Sequence, residues 1–369
     1  MAVGQIKPTP EINIVFKTLA TTAIQRSAQG ILCLIVKDTK QKNKWTILKG
    51  FSDLEADKWE DKTVKLITLA YQKYAPKKVM IRTLQTEETD YAVVLKELEK
   101  RKINWLACPN AQKEDDTKVV TWVKEQFGTE KINKTIKYVS SFANETDHVA
   151  IVEFGNTGTI KSKLGEFTPQ EYTVAIAGAI AGCPINRSLD NEILGDLIEV
   201  DDIEPALGKF TLYNDEDCVR VNYAVNSKTS FDSIWKKDTR KIKVVEGMCQ
   251  VVDDIRDTFK NYWLGKYINN YDNKQNFCSN VTKVYFKDLT PNILSADYDN
   301  KIEIDLDAQR KQAITDGIDV ENMTELEILQ YSTGDDVFLT GDVRFADTMS
   351  NLFLSILMWW RIKRLCILM

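Results

Sequence analysis

His148 is the only histidine of this 369-residue chain, so any nucleophilic triad would have to run through it. Asp147 precedes it directly, it opens an apolar stretch, and the chain contains no Gly-x-Ser-x-Gly elbow for it to serve. A structural histidine is expected. One His and no Cys-x-x-Cys pair also leave too few soft ligands for zinc. Gly155-Asn-Thr-Gly158 follows an apolar run, as a phosphate loop would, but lacks the Lys-Ser/Thr of a P-loop and does not lead into a helix. It reads as a turn. The acidic pairs Asp115-Asp116, Asp201-Asp202, Asp253-Asp254 and Asp335-Asp336 have no opposed carboxylate at a defined spacing, and solvated faces are expected for nearly all of them. The best polar cluster is Asn186-Arg187-Ser188. Its arginine can bind an anion or pair with a carboxylate of a neighbouring chain, and the second reading is preferred.

That cluster follows a stretch with strong helix signals. Thr168 is a cap, Pro169 fits the first helical position, and Glu171 closes a capping box. The interior is small: Ala175, Ala177, Gly178, Ala179, Ala181 and Gly182. Two interior glycines cost helix propensity, which predicts a neighbouring backbone in close approach. Gly182-Cys-Pro184 ends the helix and delivers the polar turn.

Upstream, helical and strand patterns alternate. Strands are expected at Ile31–Lys37, Lys78–Arg82, Ile103–Ala107, Thr135–Val139 and His148–Glu153, and helices at Lys62–Tyr74, Thr89–Arg101 and Lys113–Phe127. This is an α/β domain with a mostly parallel sheet, roughly Gln25 to Asp201. The second half reads as α+β. It has a hairpin of Lys209–Tyr213 with Cys218–Tyr223, long helices over Ile242–Tyr267 and Lys274–Asp288, and a strand at Ile302–Asp305. Short helices at Ala308–Thr315 and after Thr324 precede a strand at Val337–Phe345. Two further strands, Ile12–Lys17 and Asn351–Met358, are terminal and alternate apolar residues. They are either edges of the chain's own sheets or arms donated to another chain.

The net charge of −5, without a basic stripe, gives no footprint for nucleic acid. The longest apolar run, Leu352–Trp360, is interrupted by Ser355 and falls far short of the roughly 20 residues of a spanning helix. No stable membrane insertion is expected. Seven scattered cysteines and a start without a secretion pattern point to synthesis in a reducing cytoplasm.

Four blocks in order resemble the sheath proteins of contractile phage tails, most nearly the small PBSX-like and R-type, diffocin-like bacteriocin branch. They are Ile12–Thr18 running into Thr22–Gly30, then Ala177-Gly-Ala-Ile-Ala-Gly-Cys-Pro-Ile-Asn-Arg-Ser-Leu189, then Gly208–Tyr213 with Val219–Ser230, and the helical Val244–Tyr267. Their co-linearity carries the resemblance. The chain departs from the family pattern after Met358, where Trp359–Met369 is either a natural extension or a shifted reading frame.

The resemblance implies a parallel-type α/β domain, subtilisin-like but non-catalytic, followed by a C-terminal α+β sheath domain, with N- and C-terminal strand arms. The implied divisions are 1–24, 25–201, 202–346 and 347–369. It further implies a structural subunit without enzymatic activity or cofactor, assembled in the bacterial cytoplasm into stacked hexameric rings of a released tail or tail-like particle. The tail tube, baseplate and tail terminator proteins are its partners, besides further copies of itself. By analogy the strand arms run through Ile12, Ile14 and Phe16 and through Leu352, Leu354 and Ile356. Asn186, Arg187 and Ser188 form an interface turn, and Thr324–Ser332 faces the tube. A cytosolic α/β enzyme and a different self-assembling shell protein are the competing readings.

Overall fold

The continuous apolar run Ile31–Lys37 becomes β1, a strand covered on both faces. The computed structural model describes residues 24–26, 29–84, 91–128, 132–143 and 145–356. After β1 come β2 (Trp45–Leu48), β3 (Lys78–Leu84), β4 (Trp105–Ala107), β5 (Lys137–Ser140) and β6 (Ile151–Phe154). A small antiparallel sheet of β7 (Ile160–Ser162), β8 (Gly165–Phe167) and β9 (Leu197–Glu199) intervenes before β10 (Lys209–Phe210). The main sheet has the order β10-β6-β5-β4-β1-β3-β2, parallel throughout except for β2, which pairs antiparallel with β3 at one edge. A mixed α/β architecture around a parallel sheet is therefore observed.

The crossovers are α1 (Asp61–Leu69), α2 (Tyr91–Leu98), α3 (Lys113–Phe127) and α4 (Pro169–Gly182). Leu66, Ile67 and Leu69 of α1 join Ile176 and Ile180 of α4 in one apolar layer. Val94 and Leu95 of α2 join Val119 and Val123 of α3 in the layer on the other face. Two layers of helix on a parallel sheet bury near-continuous apolar strands, as this topology demands.

The expected first hairpin is divided. Lys209-Phe210 joins the main sheet beside β6, and only β11 (Leu212–Asp215) pairs with β12 (Cys218–Val221). Helix α5 (Ile242–Thr258) then crosses the amino ends of β4 and β5. There Glu246 accepts hydrogen bonds from Trp105 Nε1 (3.1 Å) and Lys137 Nζ (3.0 Å), and Asp253 accepts from Thr135 Oγ1 (2.8 Å). Its Ile242, Val245 and Val251 enter three different apolar clusters.

Neither long helix stays α-helical for its expected length. The first passes into a π-helical turn at Phe259–Trp263, and the second, α6 (Tyr271–Asn280), into another at Val281–Phe286. At the first turn Phe259 and Trp263 both pack edge-on against Phe277, with ring centroids 5.7 and 5.0 Å away. The hairpin of β13 (Lys301–Ile304) and β14 (Leu339–Asp342) carries α7 (Leu306–Thr315) and α8 (Glu325–Gln330) in its connection. Residues 351–356 form no strand in the single chain, and among the described residues no strand pairs with them. Ile12, Ile14, Phe16 and Trp359–Met369 lie outside the described residues.

Candidate functional site: an assembly interface

Helix α4 begins with both halves of its capping box formed: Glu171 N donates to Thr168 Oγ1 (3.3 Å) and Thr168 N to Glu171 Oε2 (2.9 Å). The expected close approach is present. A Cβ on Gly178 would stand 2.3 Å from the Ala70 carbonyl oxygen, and one on Gly182 would stand 2.2 Å from that of Tyr74. Glycine lets the helix lie directly against the backbone that follows α1. Beyond Cys183, Arg187 N closes a turn onto the Pro184 carbonyl (2.9 Å), and Ser188 Oγ accepts from Asp190 N (3.2 Å). Asn186 and Arg187 are exposed and Ser188 is half-buried, and Arg187 and Ser188 line a cleft of about 610 Å³. Burial pushes the Glu192 carboxyl up, but Lys73, Tyr74 and Arg187 together hold it below the usual range. Arg187 therefore already faces a carboxylate of its own chain while keeping an open side.

The second element is the root of the C-terminal segment. Lys243 Nζ donates to the Ala346 carbonyl (2.6 Å) and Ala346 N to the Ile293 carbonyl (2.9 Å). Ser350 Oγ donates to Asp190 Oδ2 (2.6 Å) and accepts from Lys241 Nζ (3.0 Å), while Tyr223 Oη donates to Asn351 Oδ1 (2.9 Å). Burial raises the Asp190 carboxyl, yet the Ser350, Ala224 and Lys241 donors outweigh it and hold it low. Anchoring ends there. Met349, Leu352, Phe353, Leu354 and Ile356 are between 71% and 102% exposed. A single apolar side chain in water is ordinary, but such a run makes this segment a candidate interface.

Strand β14 offers an edge of complementary kind. Asp305 N donates to the Phe338 carbonyl, which makes 303/340 and 301/342 the hydrogen-bonded pairs of the hairpin. Ile302 accordingly turns its N–H and carbonyl outward, where Thr282 Oγ1 engages both. On the other side, Leu339 and Gly341 turn theirs outward with no strand beside them among the described residues.

The remaining candidates are structural. His148 is buried edge-on against Phe127, with Nδ1 accepting from Ala150 N (3.2 Å). Burial, together with Lys124 and Lys228, lowers its pKa to about 4. Asp147 turns away and accepts from the backbone of Thr229 and Ser230 and from Lys228 Nζ. The Gly155–Gly158 turn holds an anion of its own chain: the Asp201 carboxylate accepts from the N–H groups of Thr157 and Gly158, both at 3.1 Å.

Two acidic pairs expected in solvent are buried instead. Asp116 accepts from Tyr138 Oη (2.5 Å) and Ser140 Oγ (2.6 Å), and Asp254 from Tyr285 Oη (2.7 Å). Each carboxylate satisfies groups brought by distant elements, so no local pattern marks it. The same holds for Asp190, Lys241 and Ser350, which no sequence spacing connects. Among the described residues no cluster of three or more His, Cys, Asp or Glu could hold a metal, and no helix is long and apolar enough to cross a membrane.

No protein-family model matches the chain. It is 30% identical over 359 residues to the tail sheath protein of Clostridium phage phiCD119, covering 94% of this chain and 98% of that one. Among solved structures it resembles the sheath tail protein of Desulfitobacterium hafniense, with a TM-score of 0.61 and 15% identity over 79% of this chain and 93% of that one. A chain of the six-fold symmetrised anti-feeding prophage baseplate gives a TM-score of 0.63 at 12% identity, covering 98% of this chain and all of that one. An apolar segment anchored at its root and uncovered beyond it suits a protein built to assemble. With kinship over nearly its whole length, this chain belongs to the tail sheath proteins, as a structural subunit and not an enzyme.

Proposed function

We propose that copies of this chain stack as hexameric rings around a tail tube, link to neighbours by exchanged terminal strands, and rotate into a shorter, wider lattice that drives the tube through a cell envelope. The carrying observation is the uncovered run Leu352–Ile356 immediately after the Ser350–Asp190–Lys241 anchor. Such a segment gains backbone hydrogen bonds and apolar cover by adding to a neighbour's open strand edge, for which Leu339 and Gly341 of β14 are suited. Ile12, Ile14 and Phe16 form the second arm on this reading, and the Asn186-Arg187-Ser188 turn meets an adjacent subunit. The parallel sheet corresponds to the subtilisin-like, non-catalytic domain. No nucleotide is consumed, because the work comes from new subunit contacts. The tube, baseplate and tail terminator proteins are the further partners, met during assembly in a bacterial cytoplasm.

Negative-stain microscopy over a concentration series tests this. Wild-type chain is expected to form hollow striated tubes, whereas the Ile12→Asp, Leu354→Asp double variant is expected to stay folded and monomeric. Normal tubes from the double variant overturn the arm assignment.

A further inference from the structure

Beside the arm root lies a cleft of about 760 Å³ with an unusual lining. Its apolar part is Leu207, which is 81% exposed, with Tyr223 and Phe231, both also exposed. Its charged lining is mainly cationic: Lys228, Lys237 and Arg240, with Lys209 and Lys241, against the single carboxylate of Asp347. Lys228 is matched by Asp147 at 3.1 Å, but Lys237 and Arg240 make no ion pair among the described residues. An exposed apolar patch with unmatched cations beside it calls for an occupant that is apolar and acidic.

The two terminal segments outside the described residues do not fit. Residues 1–23 carry Lys7 and Lys17 against Glu11, and the last eleven carry Arg361, Lys363 and Arg364 with no acid. A third segment fits well. From Leu306 to Gln330 the chain has six carboxylates against Arg310 and Lys311, and Arg310 pairs with Asp307 of its own helix. Its α7–α8 knob is tied together by Gln309 Nε2, which donates to the Leu329 carbonyl at 3.0 Å. The knob exposes Ile314, Ile318 and Leu326 among Asp319, Glu321 and Glu325. No residue between 312 and 343 lines the cleft of its own chain. The match is not made within one chain.

We propose that the acidic α7–α8 knob of one subunit docks in the basic, apolar cleft beside the arm root of the next. Donor and acceptor are different patches, so the contact is heterologous and propagates as a ring or helix. It deepens the assembly reading and rests on it. It also places a charge-steered contact next to the point where the arm departs.

Charge exchange tests it in the full-length chain, with circular dichroism confirming that each variant folds. Lys237→Glu with Arg240→Glu, or Asp319→Lys with Glu321→Lys, is expected to raise the concentration at which tubes appear by roughly tenfold or more. Combining all four restores the opposed signs and is expected to recover most of that loss. Separately, mixed Lys237→Cys and Glu321→Cys variants should give an oxidised heterodimer beyond that of either variant alone. Wild-type tubes together with a fourfold variant no better than its parents, or with no heterodimer, overturn the docking proposal. Loss of tube-protein binding by the knob variants, with sheath self-assembly intact, overturns it in favour of a tube contact. A wild-type chain that never polymerises overturns the assembly reading itself, a distinct result.

Discussion

Replacing Gly178 by alanine sets two effects of known size against each other. In a helix interior, alanine is favoured over glycine by about 1 kcal/mol, so an uncrowded site would be stabilised. Gly178 is not uncrowded. The new Cβ would stand 2.3 Å from the Ala70 carbonyl oxygen and 2.7 Å from its Cα, whereas ordinary contacts lie near 3.5–4.0 Å. Both obstacles are backbone atoms, so no rotamer change relieves them. α4 and the turn after α1 must separate by about 1 Å, and overpacking of this kind costs about 1–3 kcal/mol, at times more. A net loss of about 0–2 kcal/mol is expected once the propensity gain is subtracted, and more where overpacking exceeds that range. Gly182→Ala should behave alike, since its Cβ would meet Tyr74 O at 2.2 Å. Gly50→Ala is the control, with its nearest obstacle, Ser52 Oγ, at 3.7 Å, and should stay within about 0.5 kcal/mol of wild type. Urea unfolding followed by tryptophan fluorescence, below the concentration of polymerisation, measures all three. A Gly178→Ala chain more stable than wild type by about 1 kcal/mol would mean that propensity alone acts, refuting the close approach that seats the Asn186–Ser188 turn.

His148 has a folded pKa lowered to about 4 against an ordinary 6.5, so the unfolded chain binds its proton first. Its contribution is complete above pH 6.5 and is lost as pH falls through 4. Relative to His148→Asn, wild-type stability in urea should decline by about 3 kcal/mol across that window, and a pH-independent difference would refute the assignment. The Lys137–Glu246 pair, 3.0 Å apart with Lys137 buried, joins β5 to α5. Glu246→Gln strands a buried charge and should cost about 3–5 kcal/mol in thermal or urea unfolding, whereas Lys137→Met with Glu246→Leu should cost far less. Equal losses in the single and double variants would show that the pair does not act as a unit.

The apolar strands and amphipathic helices of the first half were legible because each obeys a local period. β1 has its expected bounds, as does α3. What local pattern could not show is what distant elements settle. The Lys209–Tyr213 strand reads as one element, yet its first two residues find an open edge at β6 and leave the hairpin to the rest. Asp115-Asp116 and Asp253-Asp254 read as solvated because acids usually are. Their partners Tyr138, Thr135 and Tyr285 lie elsewhere in the chain. The polar turn at Asn186–Ser188 was visible from its helix stop. The anchor on Ser350 joins residues 160 apart and leaves no trace in any window.

These buried contacts also bear on where a sheath subunit can yield. Asp116 ties α3 to β5, Glu246 and Asp253 tie α5 to the strand ends, and Lys243 ties α5 to Ala346. Breaking any of them leaves a buried polar group unmatched, which costs about 1–3 kcal/mol and more for a charge. Among the described residues past Asn351 no such restraint operates, and each apolar side chain that finds cover gains about 1.5–3 kcal/mol. A lattice rearrangement therefore meets resistance throughout the body and little at the exit of the arm. On the proposed assembly, the body turns as one piece, and the backbone between Asn351 and Leu352 absorbs the change of direction while the seated strand stays in its neighbour's sheet.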